Sequence, residues 1–81
     1  MKKAVFGSFK RRFYPWALKK GGRGFTAREA AAAFDISEKD AGNRMRLLRL
    51  RGMVSVKEWR PAAVYVLTER GIVKAKWYEE G

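Results

Sequence analysis

Phe25 to Gly52 reads FTAREAAAAFDISEKDAGNRMRLLRLRG, and it holds two helix starts in close succession. Thr26-Ala27-Arg28-Glu29 has the form of a capping box. A Thr hydroxyl accepts a late backbone N–H, and a Glu three residues on reaches back to the cap. Ala27 and Ala30 to Ala33 then predict a short helix ending near Phe34. Asp35-Ile36 makes a turn, and Ser37-Glu38-Lys39-Asp40 has the form of a second capping box. The helix it opens is expected to run to about Arg51, where Gly52 stops it. Ala41, Met45 and Leu48 fall at i, i+4 and i+7, so this helix turns one apolar face to a core.

Upstream, Phe6, Phe9, Phe13, Trp16 and Ala17 recur at steps of three and four, which is helical spacing. Pro15 interrupts them, either as a kink or as the first turn of a second helix. The expected main helix is Phe13 to Lys20, closed by Gly21-Gly22-Arg23-Gly24. Downstream, Met53 to Trp59 and Ala63 to Leu67 alternate in the manner of strands. Arg60-Pro61-Ala62 joins them in a turn longer than a tight two-residue type. Thr68 is placed to cap a last helix running to about Tyr78. The expected order is helix, helix, helix, strand, strand, helix, and two capped helices joined by a few residues look like a helix-turn-helix.

Composition narrows the function. The chain has 81 residues, with Lys plus Arg 19, Asp plus Glu 8 and a formal net charge of +11. That length suits one small domain. Apolar residues make up 47% of the chain, too many for a disordered polybasic tail. Residues 1–24 carry eight bases and no acid. Such a field selects a polyanion, most simply nucleic acid, although membrane surfaces are anionic too. Cysteine and histidine are absent, which removes disulfides, thiol nucleophiles, histidine bases and ordinary zinc sites. The carboxylates sit in caps, turns or helix ends, and Gly21 to Gly24 lacks the preceding strand a phosphate-binding loop needs. No catalytic role and no cofactor are expected.

Met1-Lys2-Lys3-Ala4-Val5-Phe6 begins like a secretory signal, but Gly7-Ser8 and then Lys10-Arg11-Arg12 cut the apolar run short. No stretch approaches the roughly 20 apolar residues of a membrane span. A cytoplasmic, nucleoid-associated protein is therefore expected, with no membrane partner. Glutamine is absent and asparagine occurs once, at Asn43. Scarcity of thermolabile side chains beside abundant Lys and Arg points to an archaeal or thermophilic source.

Four segments in order carry a resemblance: Phe25-Thr26-Ala27-Arg28-Glu29-Ala30, Phe34-Asp35-Ile36-Ser37, Leu48 through Arg51-Gly52-Met53-Val54, and Tyr65-Val66-Leu67-Thr68-Glu69-Arg70-Gly71. Over about residues 13–78 the chain resembles the winged-helix transcriptional regulators. It is most similar to the small prokaryotic and archaeal ones related to the multiple-antibiotic-resistance and arsenical-resistance repressors. The resemblance implies an α+β, mostly α fold: a winged helix-turn-helix with three helices, a two-stranded wing hairpin and a C-terminal helix. It implies a domain over 13–81 preceded by a basic aromatic segment, 1–12.

The resemblance further implies sequence-specific double-stranded DNA binding, with helix 38–51 in the major groove and hairpin 57–63 as the wing. Opposite the apolar face of the helix stand Lys39, Asn43 and Arg46, the base-reading candidates. Arg pairs with guanine and Asn with adenine. Arg44, Arg49 and Arg51 point to other sides and suit phosphates, or nothing. In the wing the candidates are Lys57, Trp59 and Arg60, with packing across the hairpin the alternative for Trp59. Glu38 and Asp40 put acid at the end that approaches DNA, so Asp40 reads best as the cap partner of Ser37. Gly42 costs about 1 kcal/mol in a helix interior relative to alanine. Close approach to DNA or to the preceding helix would justify it.

Leu47 and Leu50 lie off the apolar stripe, and so does one of the pairs Ile72/Ala75 or Val73/Trp77. A small monomer exposes little such surface, so a homodimer is expected. No small-molecule effector is expected. The alternatives are a sequence-tolerant chromatin or RNA-binding protein, and a winged-helix module that meets an acidic protein.

Overall fold

The computed structural model describes residues 4–80, with side chains from Phe9 onward. The elements are α1 (Ala4–Lys20), a 3-10 turn (Gly21–Arg23), β1 (Phe25–Thr26), α2 (Ala27–Phe34), α3 (Glu38–Leu50), β2 (Val54–Glu58), β3 (Val64–Leu67) and α4 (Glu69–Glu80). Two differences from the sequence expectations stand out. The first helix begins at Ala4 rather than Phe13, with Pro15 inside it. The hairpin has a third strand, β1, in the antiparallel order β1-β3-β2.

Packing on both sides of Pro15 explains the continuous α1. Proline removes one backbone hydrogen bond from a helix, but Phe13, Tyr14 and Ala17 around it are all buried. One turn earlier, Phe9 stacks on Phe13 at 5.5 Å and meets Phe34 edge-on at 5.4 Å. Phe13 also takes Phe25 edge-on at 5.6 Å. Such aromatic pairs contribute about 0.5–1.5 kcal/mol each beyond the area they bury. The basic Lys10, Arg11 and Arg12 lie between the aromatics, so the charge run and the core share one helix. Lys2 and Lys3 lie outside the described residues, as does the side chain of Phe6.

The capping box at Thr26 forms in full: its Oγ1 accepts from the Glu29 N–H at 3.1 Å, and Glu29 Oε1 accepts from the Thr26 N–H at 3.1 Å. At Ser37 the structure shows one half. Ser37 Oγ accepts from the Asp40 N–H at 3.0 Å, and the shorter Asp side chain makes no return bond. Between the two helices Asp35 takes the left-handed conformation, φ 56°, which aspartate tolerates. The Ile36 N–H donates back to the Ala31 carbonyl at 3.1 Å. This turn fixes α3 against α2, with Ala30, Phe34, Ala41, Met45 and Leu48 buried.

The hairpin is rooted in the same core through Val54 and Phe25. Phe25 pairs with Tyr65, and Val54 pairs with Leu67. The register slips between Val56 and Glu58, which places a bulge at Lys57. The last helix is tied to the end of α3 by Thr68. Its hydroxyl donates to the Gly52 carbonyl at 2.6 Å and accepts the Gly71 N–H at 3.1 Å. A Cβ on Gly71 would stand 2.1 Å from the Met53 carbonyl oxygen, so α4 comes closer to that backbone than any side chain permits.

Candidate nucleic-acid interface

Burial of Ala41, Met45 and Leu48 sets the rotation of α3. The opposite stripe therefore carries Lys39, Asn43 and Arg46, all exposed. Leu50 continues that stripe and is 69% exposed. Gly42 has no heavy atom within 4 Å of a built Cβ. Tight packing on the preceding helix is thus not the reason for this glycine.

The remaining arginines of α3 are held by aromatic rings. Arg44 is half-buried, with its guanidinium carbon 4.4 Å from the centre of the Phe9 ring. Its Nε is buried and makes no hydrogen bond. Arg49, on the other flank, lies 5.7 Å from the centre of the Trp59 ring. Sequence reasoning missed both pairings. The Arg44 pairing was legible only in a first helix that includes Phe9, and the Arg49 pairing needs a long-range packing between helix and hairpin.

In the hairpin, Lys57 Nζ donates to the Gly22 carbonyl at 2.9 Å, which binds the bulge to the turn after α1. Trp59 is 64% exposed at the start of the loop, so it does not pack across the hairpin. Arg60 is exposed beside it. The Arg49–Trp59 contact sets the hairpin tip next to the last turn of α3. The helix thus presents Lys39, Asn43 and Arg46 on its exposed stripe, and the hairpin that adjoins it through Arg49 presents Trp59 and Arg60.

A solved structure has a similar fold over most of the chain. It is that of the heme sensor protein PefR in complex with heme and carbon monoxide, with a TM-score of 0.66 and 21% sequence identity. The match covers 91% of this chain and 50% of that one. The fold is a winged helix-turn-helix. It is α+β and mostly helical, as expected, with α2 and α3 as the helix-turn-helix and β2–β3 as the wing. This chain spans half the length of that neighbour. No protein-family model matches the sequence, and no curated protein matches it.

Two other expectations meet these findings. The neighbour was crystallised with a small molecule bound, so the expectation that this winged helix has no effector is withdrawn. Among the described residues, no helix is long and apolar enough to cross a membrane.

Proposed function

We propose that this chain is the double-stranded DNA-binding domain of a transcriptional regulator. The observation that carries the reading is the joint surface of α3 and the wing. Lys39, Asn43 and Arg46 enter the major groove and read base edges, while Trp59 and Arg60 meet the backbone or minor groove. Arg44 and Lys57 serve the scaffold through Phe9 and Gly22, and Arg51 is left to phosphate. The domain takes in α1 from Phe9 onward, since that ring packs on Phe13 and Phe34, and the basic residues of 1–12 add to its field. The protein acts as a homodimer in the cytoplasm, which suits a palindromic site. Heme is not carried over from the neighbour. The chain has no His or Cys, the commonest protein ligands of heme iron.

A salt titration with a duplex selected from a random pool, against random duplex, tests the proposal. A regulator prefers its site by about 10³ or more, and a packaging protein does not. A log–log salt slope near −5 is expected if roughly six phosphates are neutralised. A slope of zero removes the DNA reading.

A further inference from the structure

Trp59 is the odd residue of the wing. A large ring at a hairpin tip ordinarily folds back across the strands, yet this one is 64% exposed. The stem below it is well secured. β3 pairs on both sides, with β1 and with β2, and Lys57 binds the stem to the Gly22 carbonyl. Beyond the Glu58–Val64 pair the loop has no ladder. There its link to α3 is the Arg49 guanidinium, 5.7 Å from the ring centre.

A guanidinium is planar and keeps its charge while stacked on an aromatic face, with its donors free around the edge. Such a contact orients a ring without burying it. The Arg49 guanidinium lies over the indole, and the ring remains largely open to solvent, next to Arg60 in the chain. An open aromatic surface among cations, on a body of charge +11, suits the apolar face of a deoxyribose whose flanking phosphates meet the cations.

We infer that Arg49 is a positioning residue that holds Trp59 beside α3, so that the open indole surface packs on a deoxyribose in the backbone of the bound duplex. This rests on the DNA-binding reading above. It goes beyond that reading in giving Arg49, which the sequence offered to phosphate, a role that acts through Trp59.

The test uses the full chain labelled with 5-fluorotryptophan, which gives separate signals for Trp16, Trp59 and Trp77, with Trp59→Phe to assign the middle one. Without DNA, Arg49→Ala and Arg49→Lys should shift the Trp59 signal and leave Trp16 and Trp77 in place. With duplex, Arg49→Ala and Trp59→Ala should each weaken binding several-fold, and the double variant should bind no worse than the weaker single. The salt slope of Arg49→Ala should stay within a few tenths of wild type, because losing a phosphate contact costs about 0.9. Additive losses with a slope reduced by about one would make Arg49 a phosphate contact and overturn the inference. An unmoved Trp59 signal in the DNA-free variants would overturn it as well. A wild-type chain that binds no duplex would take down this inference and the parent reading together, whereas the two preceding outcomes sink this one alone.

Discussion

Tyr78 lies nearly flat on Tyr14, with ring centroids 5.4 Å apart and planes 13° from parallel. The pair closes the last helix onto the first. Tyr14 is buried in the core, whereas Tyr78 is half-buried at its edge. Trp77, next in the chain, meets Tyr78 edge-on at 4.9 Å and is itself exposed. The inward and outward faces of α4 therefore meet at this point.

The stack gives the protein an alkaline limit. Burial pushes the Tyr14 hydroxyl above its ordinary value of 10.0, the neighbouring Tyr78 adds to the rise, and Arg51 opposes it. A group whose folded pKa is raised contributes stability that is complete below the unfolded value and is lost as pH rises through the folded one. Unfolding in urea should therefore become easier above about pH 10. Tyr14→Phe should flatten that fall while changing stability little at pH 7. Equal slopes for the two proteins above pH 10 would take the effect away from Tyr14.

Local chemistry made much of this fold legible. Thr26, Glu29 and Ser37 announced their helices because a capping bond is made within one turn. The spacing of Ala41, Met45 and Leu48 gave the rotation of α3, and hence the exposure of Lys39, Asn43 and Arg46. Long-range features were not legible. β1 is two residues, Phe25 and Thr26, and it exists as a strand only because β3 is there to pair with it. The helical reach of α1 through Pro15 depends on Phe34 from another element. Likewise, nothing local to Arg44 or Arg49 tells that a ring stands opposite. The apolar pair left outside on α4 was open between two choices. Val73 and Trp77, 68% and 62% exposed, are that pair, and Ala75 is buried.

Gly42→Ala should raise stability by about 1 kcal/mol, because alanine is the better helix former and nothing stands within reach of the new methyl. Urea midpoints measure this directly. If the backbone at Gly42 approaches DNA closely, the same variant should bind duplex more weakly despite being more stable. A variant that is stabilised and binds as well as wild type would leave the glycine without a DNA role.

Reading and positioning should separate by mutation. Asn43→Ala and Arg46→Ala are expected to lose roughly 1–3 kcal/mol of discrimination at particular base pairs. Arg60→Ala should weaken selected and random duplexes alike, with a shallower salt slope. Binding to a panel of single-base variants of the selected site provides the measurement. Equal weakening of all duplexes by the two α3 variants would refute the assignment of that helix to base reading.

The homodimer proposed above is expected to use the outer face of α4, where Val73 and Trp77 line a groove with Met53 and Arg70. Trp77→Glu places a charge in that face without touching the buried Ala75. Sedimentation should show the variant as a folded monomer where the wild type is a dimer. A wild type that is monomeric across the accessible concentration range would end the dimer proposal.

Removing residues 1–12 tests whether the N-terminal segment is an arm or part of the domain. A flexible arm would leave a folded remainder with its base preference intact and a lower affinity, since mainly phosphate contacts would go. The geometry of Phe9 argues for the other outcome. Its ring rests on Phe13, Phe34 and Arg44, so deletion uncovers two core aromatics and strips a half-buried guanidinium of its ring. The single change Phe9→Ala should cost about 2 kcal/mol, less than a fully enclosed phenylalanine because the ring is half-buried. The truncated chain, which also loses all of α1 before Phe13, should melt well below wild type. If it melts with the full chain, and Phe9→Ala is neutral, then the aromatic contacts of α1 before Phe13 contribute nothing to the fold, and the segment is an arm after all.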